Sequence, residues 1–143
     1  MLSHTSKYAI RALIYLELFS SPQKKQGIKH IAKELDISYH FLGKILQVLV
    51  REQLLVSTKG PNGGFFLKRP AIDITLMEVI AIIDGKDIFD TCVIRTTNCD
   101  NENPCSMHDR VGPLMEELKK RFSTETIADL VSEFKEKRER IRI

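Results

Sequence analysis

At 143 residues, 43% hydrophobic and 29% charged, the chain reads as one soluble globular domain, or a small domain with an appendage, and not as a disordered segment. No apolar run approaches the roughly 20 residues needed to span a bilayer. The net charge is only +3, yet residues 24–69 carry nine basic side chains against three acidic ones, a local surplus that points to a polyanionic partner.

The first helix is expected from about Ser6 to Phe19, where Tyr8, Ala9, Ala12, Leu13, Leu16 and Phe19 recur at helical spacing. Lys7, Arg11 and Glu17 within it, and no small-residue cleavage site, make it a helix of the mature protein and not a signal peptide. Ser20, Ser21 and Pro22 end it. A second helix over Ile28–Leu35 turns inward with Ile28, Ile31, Ala32 and Leu35. After the connector Asp36-Ile37, Ser38 is placed to N-cap a third helix with Leu42, Ile45, Leu46, Leu49 and Val50 on one face. Two helices joined by a short turn, the second longer and amphipathic, make a helix-turn-helix.

The period then changes. Leu54–Ser57 and Phe65–Lys68 read as strands around the turn Lys59-Gly60-Pro61-Asn62-Gly63-Gly64, a hairpin that forms a wing. Thr75 and Glu78 have capping-box spacing, and the helix they open presents Val79, Ile80, Ile82 and Ile83 before Asp84-Gly85 stops it. A long helix with the stripe Val111, Leu114, Met115, Leu118 and Phe122 follows a polar loop. Ser123-Thr124 is expected to restart a last helix with Ile127, Leu130, Val131 and Phe134, and KEKRERIRI reads as a solvated tail. The fold class is thus mainly α, a winged helix-turn-helix with a small β-hairpin wing and a long C-terminal dimerisation helix. Three segments follow: a DNA-binding domain over 1–85, a cysteine-rich loop over 86–108, and a dimerisation helix with its C-terminal helix or tail over 109–143.

In a helix-turn-helix the second helix offers its N-terminal side chains to the major groove of double-stranded DNA. Here those are Ser38, Tyr39 and His40, with Gly43 and Lys44 one turn on. Lys59, Lys68 and Arg69, with Gly60, Asn62 and Gly63 at the wing tip, are placed to meet phosphates. Winged helices also serve as protein-interaction modules, and the local positive surplus favours DNA. The long helix has little of its own chain left to cover its stripe, which favours a homodimer. Two copies would set their recognition helices roughly 34 Å apart, suited to a palindromic promoter operator. No nucleophile–base pair, phosphate-cradling loop or helical metal-carboxylate motif is present, so an enzyme is not expected.

All three cysteines fall in one polar stretch, Cys92, Cys99 and Cys105, spaced C-x6-C-x5-C and followed by His108. An odd cysteine count and no export signal suit a reducing cytoplasm, where thiols more often bind metal or do redox work than form staples. Thiolates select iron–sulfur clusters, zinc or copper(I). Structural zinc sites use tighter pairs such as C-x2-C, absent here. A cluster commonly takes four protein ligands, and His108 is the fourth donor at hand. Its competing reading is a passive residue in the first turn of the long helix.

SKYAIRALIYL, the wing KGPNGGFFLKRP, the segment ITLMEVIAIIDG and the loop ending in CSMH together resemble the Rrf-type winged-helix transcriptional regulators, in the iron–sulfur cluster-binding branch that is IscR- and NsrR-like. The resemblance implies a dimeric transcription factor holding a cluster on Cys92, Cys99 and Cys105, whose loss, nitrosylation or redox change alters promoter binding. CSMH is similar to the IscR-type arrangement, which gives His108 the fourth-ligand role. Some NsrR-type chains complete the cluster with an acidic residue early in the first helix, where this chain has Lys7, and a protonated amine cannot ligate iron. That departure favours His108 and [2Fe-2S] over [4Fe-4S]. A second departure is Phe41-Leu42-Gly43, where relatives often carry glutamate. The remaining alternatives are a zinc-binding or cluster-free winged-helix repressor, or a protein-interaction module.

Overall fold

The computed structural model describes residues 2–137, with side chains through Lys135. Within them lie six α-helices, a short 3-10 turn and one antiparallel hairpin. The first helix, α1 (His4–Phe19), starts two residues before the expected Ser6 because Ser3 caps it, its hydroxyl accepting the Ser6 N–H at 3.0 Å. Asp84, far along the chain, accepts from both the Ser3 amide, at 3.0 Å, and the Ser3 hydroxyl. Ala9, Ala12, Leu13 and Leu16 of α1 are fully buried, so α1 is the axis of the core.

Helices α2 (Ile28–Leu35) and α3 (Tyr39–Arg51) form the helix-turn-helix. Asp36 turns the corner in the left-handed region at φ 52°, which a short polar side chain tolerates. Ser38 occupies the N-cap position as expected, but its hydroxyl makes no capping bond. Gly43 faces inward: a Cβ there would stand 3.3 Å from the Ile28 side chain. Its smallness therefore serves the approach of α2 to α3.

The hairpin pairs β1 (Leu55–Thr58) with β2 (Gly64–Leu67), each strand offset by one residue from the sequence expectation. Gln26 adds a one-residue third strand, exchanging backbone bonds with Phe65 at 3.1 and 2.8 Å. That single extended residue ties the loop before α2 to the wing, and it passes so close that only glycine fits at position 64.

Helix α4 (Leu76–Asp84) is capped by Thr75, which accepts the Glu78 N–H at 3.1 Å. The expected capping box is only half formed, because the Glu78 carboxylate turns away to Arg69 at 2.6 Å. Gly85 stops the helix at φ 95°. Helix α5 (His108–Thr124) runs through Ser123-Thr124 without the expected restart there, and it buries none of its own residues fully. The next helix, α6 (Ile127–Lys137), opens instead on Thr126, which forms a reciprocal box with Asp129: the Asp129 N–H donates to the Thr126 hydroxyl at 3.2 Å, and the Thr126 N–H donates to the carboxylate at 2.9 Å.

The C-terminal helix closes the core. Ile127 and Val131 of α6 are buried in the same cluster as Leu13 and Leu16. Two backbone bonds of 2.9 Å, Leu76 N–H to Glu125 and Ile127 N–H to Ile74, clip the α5–α6 junction to the start of α4. The stripe expected on α5 divides: Met115 and Phe122 pack against the core, whereas Leu114 stays 64% and Leu118 37% exposed. Most of the expected solvated tail, residues 138–143, lies outside the described residues. Among the described residues, no helix is long and apolar enough to cross a membrane.

Candidate DNA-reading surface and thiolate site

At the N-terminus of α3, Ser38, Tyr39, His40 and Lys44 are all exposed. The Tyr39 and His40 rings stand edge to face with centroids 5.3 Å apart, two flat donors side by side at the positive end of a helix. On the wing, Lys59, Gly60 and Asn62 are exposed, and the Gly63 N–H donates to the Gly60 carbonyl at 2.9 Å to close the tip. Lys68 is exposed and hydrogen-bonds the Gln53 side chain. Arg69 stands apart from this set. It is half-buried, paired with Glu78, and donates to the Asp73 carbonyl at 3.3 Å, so it braces the wing base against α4.

The loop between α4 and α5 places its four candidate donors in two groups. In the first, residues 90–92 and 97–99 form a miniature antiparallel ladder around the Thr91–Asn98 bridge. The Cys92 N–H donates to Thr97 at 3.0 Å, and the Cys99 N–H donates to Asp90 at 2.7 Å. Cys92, opposite Thr97, and Cys99, opposite Asp90, thus sit at diagonal corners of one short hairpin. In the second, the His108 N–H donates to the Cys105 carbonyl at 3.0 Å, so Cys105 and His108 share the turn that opens α5. The groups meet where the Cys99 sulfur lies 3.2 Å from His108 Nδ1.

Burial differs along the set: Cys92 is buried, Cys105 intermediate and Cys99 exposed. The Cys92 thiol is held below its ordinary pKa, chiefly by the Arg95 and Ile94 amides directed at its sulfur, the former at 3.4 Å. The Cys99 thiol is pushed up, first by desolvation and then by the neighbouring Cys92 and Cys105. Mutual repulsion of this kind is what a bound cation relieves. All four donors line one open cavity of about 650 Å³ between the loop and α5. Among the described residues, no three His, Cys, Asp or Glu side chains converge as they would around a single metal ion.

Three supporting residues escaped the sequence reading. Arg95 reaches across the loop to the Asn103 carbonyl at 2.8 Å, and Asp90 pairs with Lys119 of α5 at 2.8 Å. The Asp90–Lys119 pair spans 29 residues and has no sign in the sequence beyond opposite charge, and the Arg95 bond goes to a backbone carbonyl, which leaves no side-chain signature.

Among relatives, the chain is 30% identical over 125 residues to the HTH-type transcriptional regulator NsrR of Oceanobacillus iheyensis, covering 87% of this chain and 84% of that one. Among solved structures it is similar to CymR, the global cysteine regulator of B. subtilis, with a TM-score of 0.77 at 20% identity, covering 92% of this chain and 96% of that one. It is similar also to T. potens IscR, with a TM-score of 0.74 at 19% identity over 98% of this chain and 92% of that one. These two likenesses establish the fold, a winged helix with C-terminal helices. The family model Rrf2, described as an iron-dependent transcriptional regulator, matches residues 2–133, and the chain belongs to that family of transcriptional regulators, not to the enzymes.

Proposed function

We propose that this chain is a DNA-binding transcriptional regulator that holds an iron–sulfur cluster on Cys92, Cys99, Cys105 and His108, [2Fe-2S] in preference to [4Fe-4S]. The observation that carries the reading is the convergence of three thiols and one imidazole on a single cavity, with Cys99 against His108, in a chain of this family. The donor set fits: soft thiolates suit iron–sulfur chemistry, and an imidazole can stand in for one of them. A bound cluster would supply a centre responsive to redox change and to nitric oxide.

The rest is done by the chain's own residues. The hairpin ladder fixes Cys92 and Cys99 through backbone bonds, and the turn at α5 fixes Cys105 and His108. Ligation would therefore add to the ties between the loop and α5, and its loss would loosen the loop against the helix. Helix α5 presents Leu114 and Leu118 outward, a face suited to a second copy of the chain. Loop geometry is thereby coupled to the spacing of two recognition helices on a palindromic operator. In this division residues 1–85 read DNA, 86–108 hold the cluster, and 109–143 comprise the dimerisation helix and the C-terminal helix or tail. Ser38, Tyr39, His40 and Lys44 contact the groove, while Lys59, Gly60, Asn62, Gly63 and Lys68 meet the backbone. Arg69 acts there only if it leaves Glu78.

The deciding measurement is visible absorption of protein purified without oxygen, with iron and sulfide assayed per chain. Charge-transfer absorbance with matched iron and sulfide supports the reading. Colourless protein carrying zinc moves the chain to a zinc-stabilised repressor. Colourless, metal-free protein after attempted reconstitution leaves a cluster-free regulator.

A further inference from the structure

The two halves of the thiolate site belong to different parts of the fold. Cys92 and Cys99 ride on the hairpin that follows α4, whereas Cys105 and His108 sit in the turn that opens α5. Something must set one half against the other. Asp90 is the residue with a hand on each: its carbonyl accepts the Cys99 N–H at 2.7 Å, and its carboxylate pairs with Lys119 of α5 at 2.8 Å. Its own N–H is held by Asp87 at 2.9 Å, so the backbone that grips Cys99 is part of a closed turn. Lys119 lies three turns along α5 from His108, and α5 is fixed at its far end by the backbone clip at Glu125 and Ile127. Among the described residues, Asp90–Lys119 is the ion pair joining the hairpin to the body of α5.

We propose that Asp90 and Lys119 are positioning residues that set the register between the Cys92–Cys99 hairpin and the Cys105–His108 turn. This rests on the cluster-site reading in naming what the register is for, but the strut itself is a property of the chain. The pair is partly exposed, with side chains 38% and 44% accessible, so its free energy is modest and its role is placement. Breaking it leaves both donor pairs intact and lets the hairpin drift from α5, which shifts Cys99 relative to His108.

The test uses full-length protein in four forms beside wild type: Asp90→Asn, Lys119→Gln, the double variant, and the exchanged pair Asp90→Lys with Lys119→Asp. The first readout, on metal-free protein, is amide exchange at Cys99 and Cys92. Each single variant is expected to speed exchange about twofold to fivefold, the double no more than either single, and the exchanged pair to return toward wild type. The second readout, on reconstituted protein, is the visible circular-dichroism spectrum and the rate of cluster release to a chelator, following the same pattern. Non-additive singles with recovery in the exchanged pair establish the strut. Additive effects, no effect, or an exchanged pair as impaired as the double overturn it. A wild-type chain that takes up no cluster defeats the function proposed above, while the amide-exchange cycle still decides the strut.

Discussion

Two glycines of the wing show how differently one residue type is used. Gly60 has φ +101° with nothing within 4 Å of where a Cβ would stand. Gly64 has φ +144°, and a Cβ would lie 2.6 Å from the Gln26 carbonyl oxygen. Gly60→Ala therefore meets backbone strain alone, about 1 kcal/mol. Gly64→Ala meets strain and a backbone clash, and should lose about 2–3 kcal/mol or more. Denaturant midpoints would separate the two, and equal losses would mean the Gln26 pairing matters little. Asp84 makes a second prediction at this scale. Burial raises its pKa, but hydrogen bonds from the Ser3 side chain and amide outweigh that and hold the carboxyl below the ordinary 3.8. A depressed carboxyl contributes stability above its unfolded value, and the contribution fades as pH falls through the folded one. Asp84→Asn should melt at lower temperature than wild type at neutral pH, with the gap closing below pH 3.8. A gap that persisted in acid would place the effect elsewhere than in the charge.

At the scale of elements, α3 has separable faces. Leu46 is fully buried, and Leu46→Ala should cost about 2–5 kcal/mol in an unfolding titration. Lys44 and Lys59 are exposed, so alanine at either should leave stability unchanged. If each meets a phosphate, each variant lowers the log–log salt slope of DNA binding by about 0.9, measured by titration at several salt concentrations. An unchanged slope shows that the lysine meets no phosphate. The helices were legible because burial repeats every three or four residues, as at Leu42, Ile45, Leu46 and Leu49. Strand limits slipped by one because Leu54 is as buried as Leu55, yet the ladder begins at Leu55. The α5–α6 boundary was misplaced because Ser123 and Thr124 look like cap residues but bond back to Lys119 and Lys120 carbonyls inside the helix. The four donors were legible as a cluster of rare residue types. Their arrangement as two pairs was not, since the Thr91–Asn98 bridge is a backbone pairing without apolar alternation. Likewise, Arg69 read as a phosphate contact because Glu78, its partner, had already been assigned to a capping box.

For the molecule as a whole, the exposed face of α5 is where association would be read. Leu114 and Leu118, 64% and 37% exposed, are one turn apart, and Val93 and Ile94 of the loop are 59% and 62% exposed. Substituting aspartate at both Leu114 and Leu118 should leave the fold intact and convert a dimer to a monomer in analytical ultracentrifugation. Affinity for a palindromic site should then fall towards that for a half-site. A doubly substituted chain of unchanged mass would send the search for the interface elsewhere.

The closing of the core by α6 also bears on how the chain is made. Ile127 and Val131 complete the packing around α1, more than a hundred residues after α1 itself is synthesised. On the ribosome, α1 emerges with part of its apolar surface still bare, and it is covered only after the cysteine loop has been translated. A prematurely terminated chain would then expose Leu13 and Leu16 and go to proteolysis before it could occupy a promoter. Order of synthesis thus works as quality control: the helix that closes the core certifies the helices made before it.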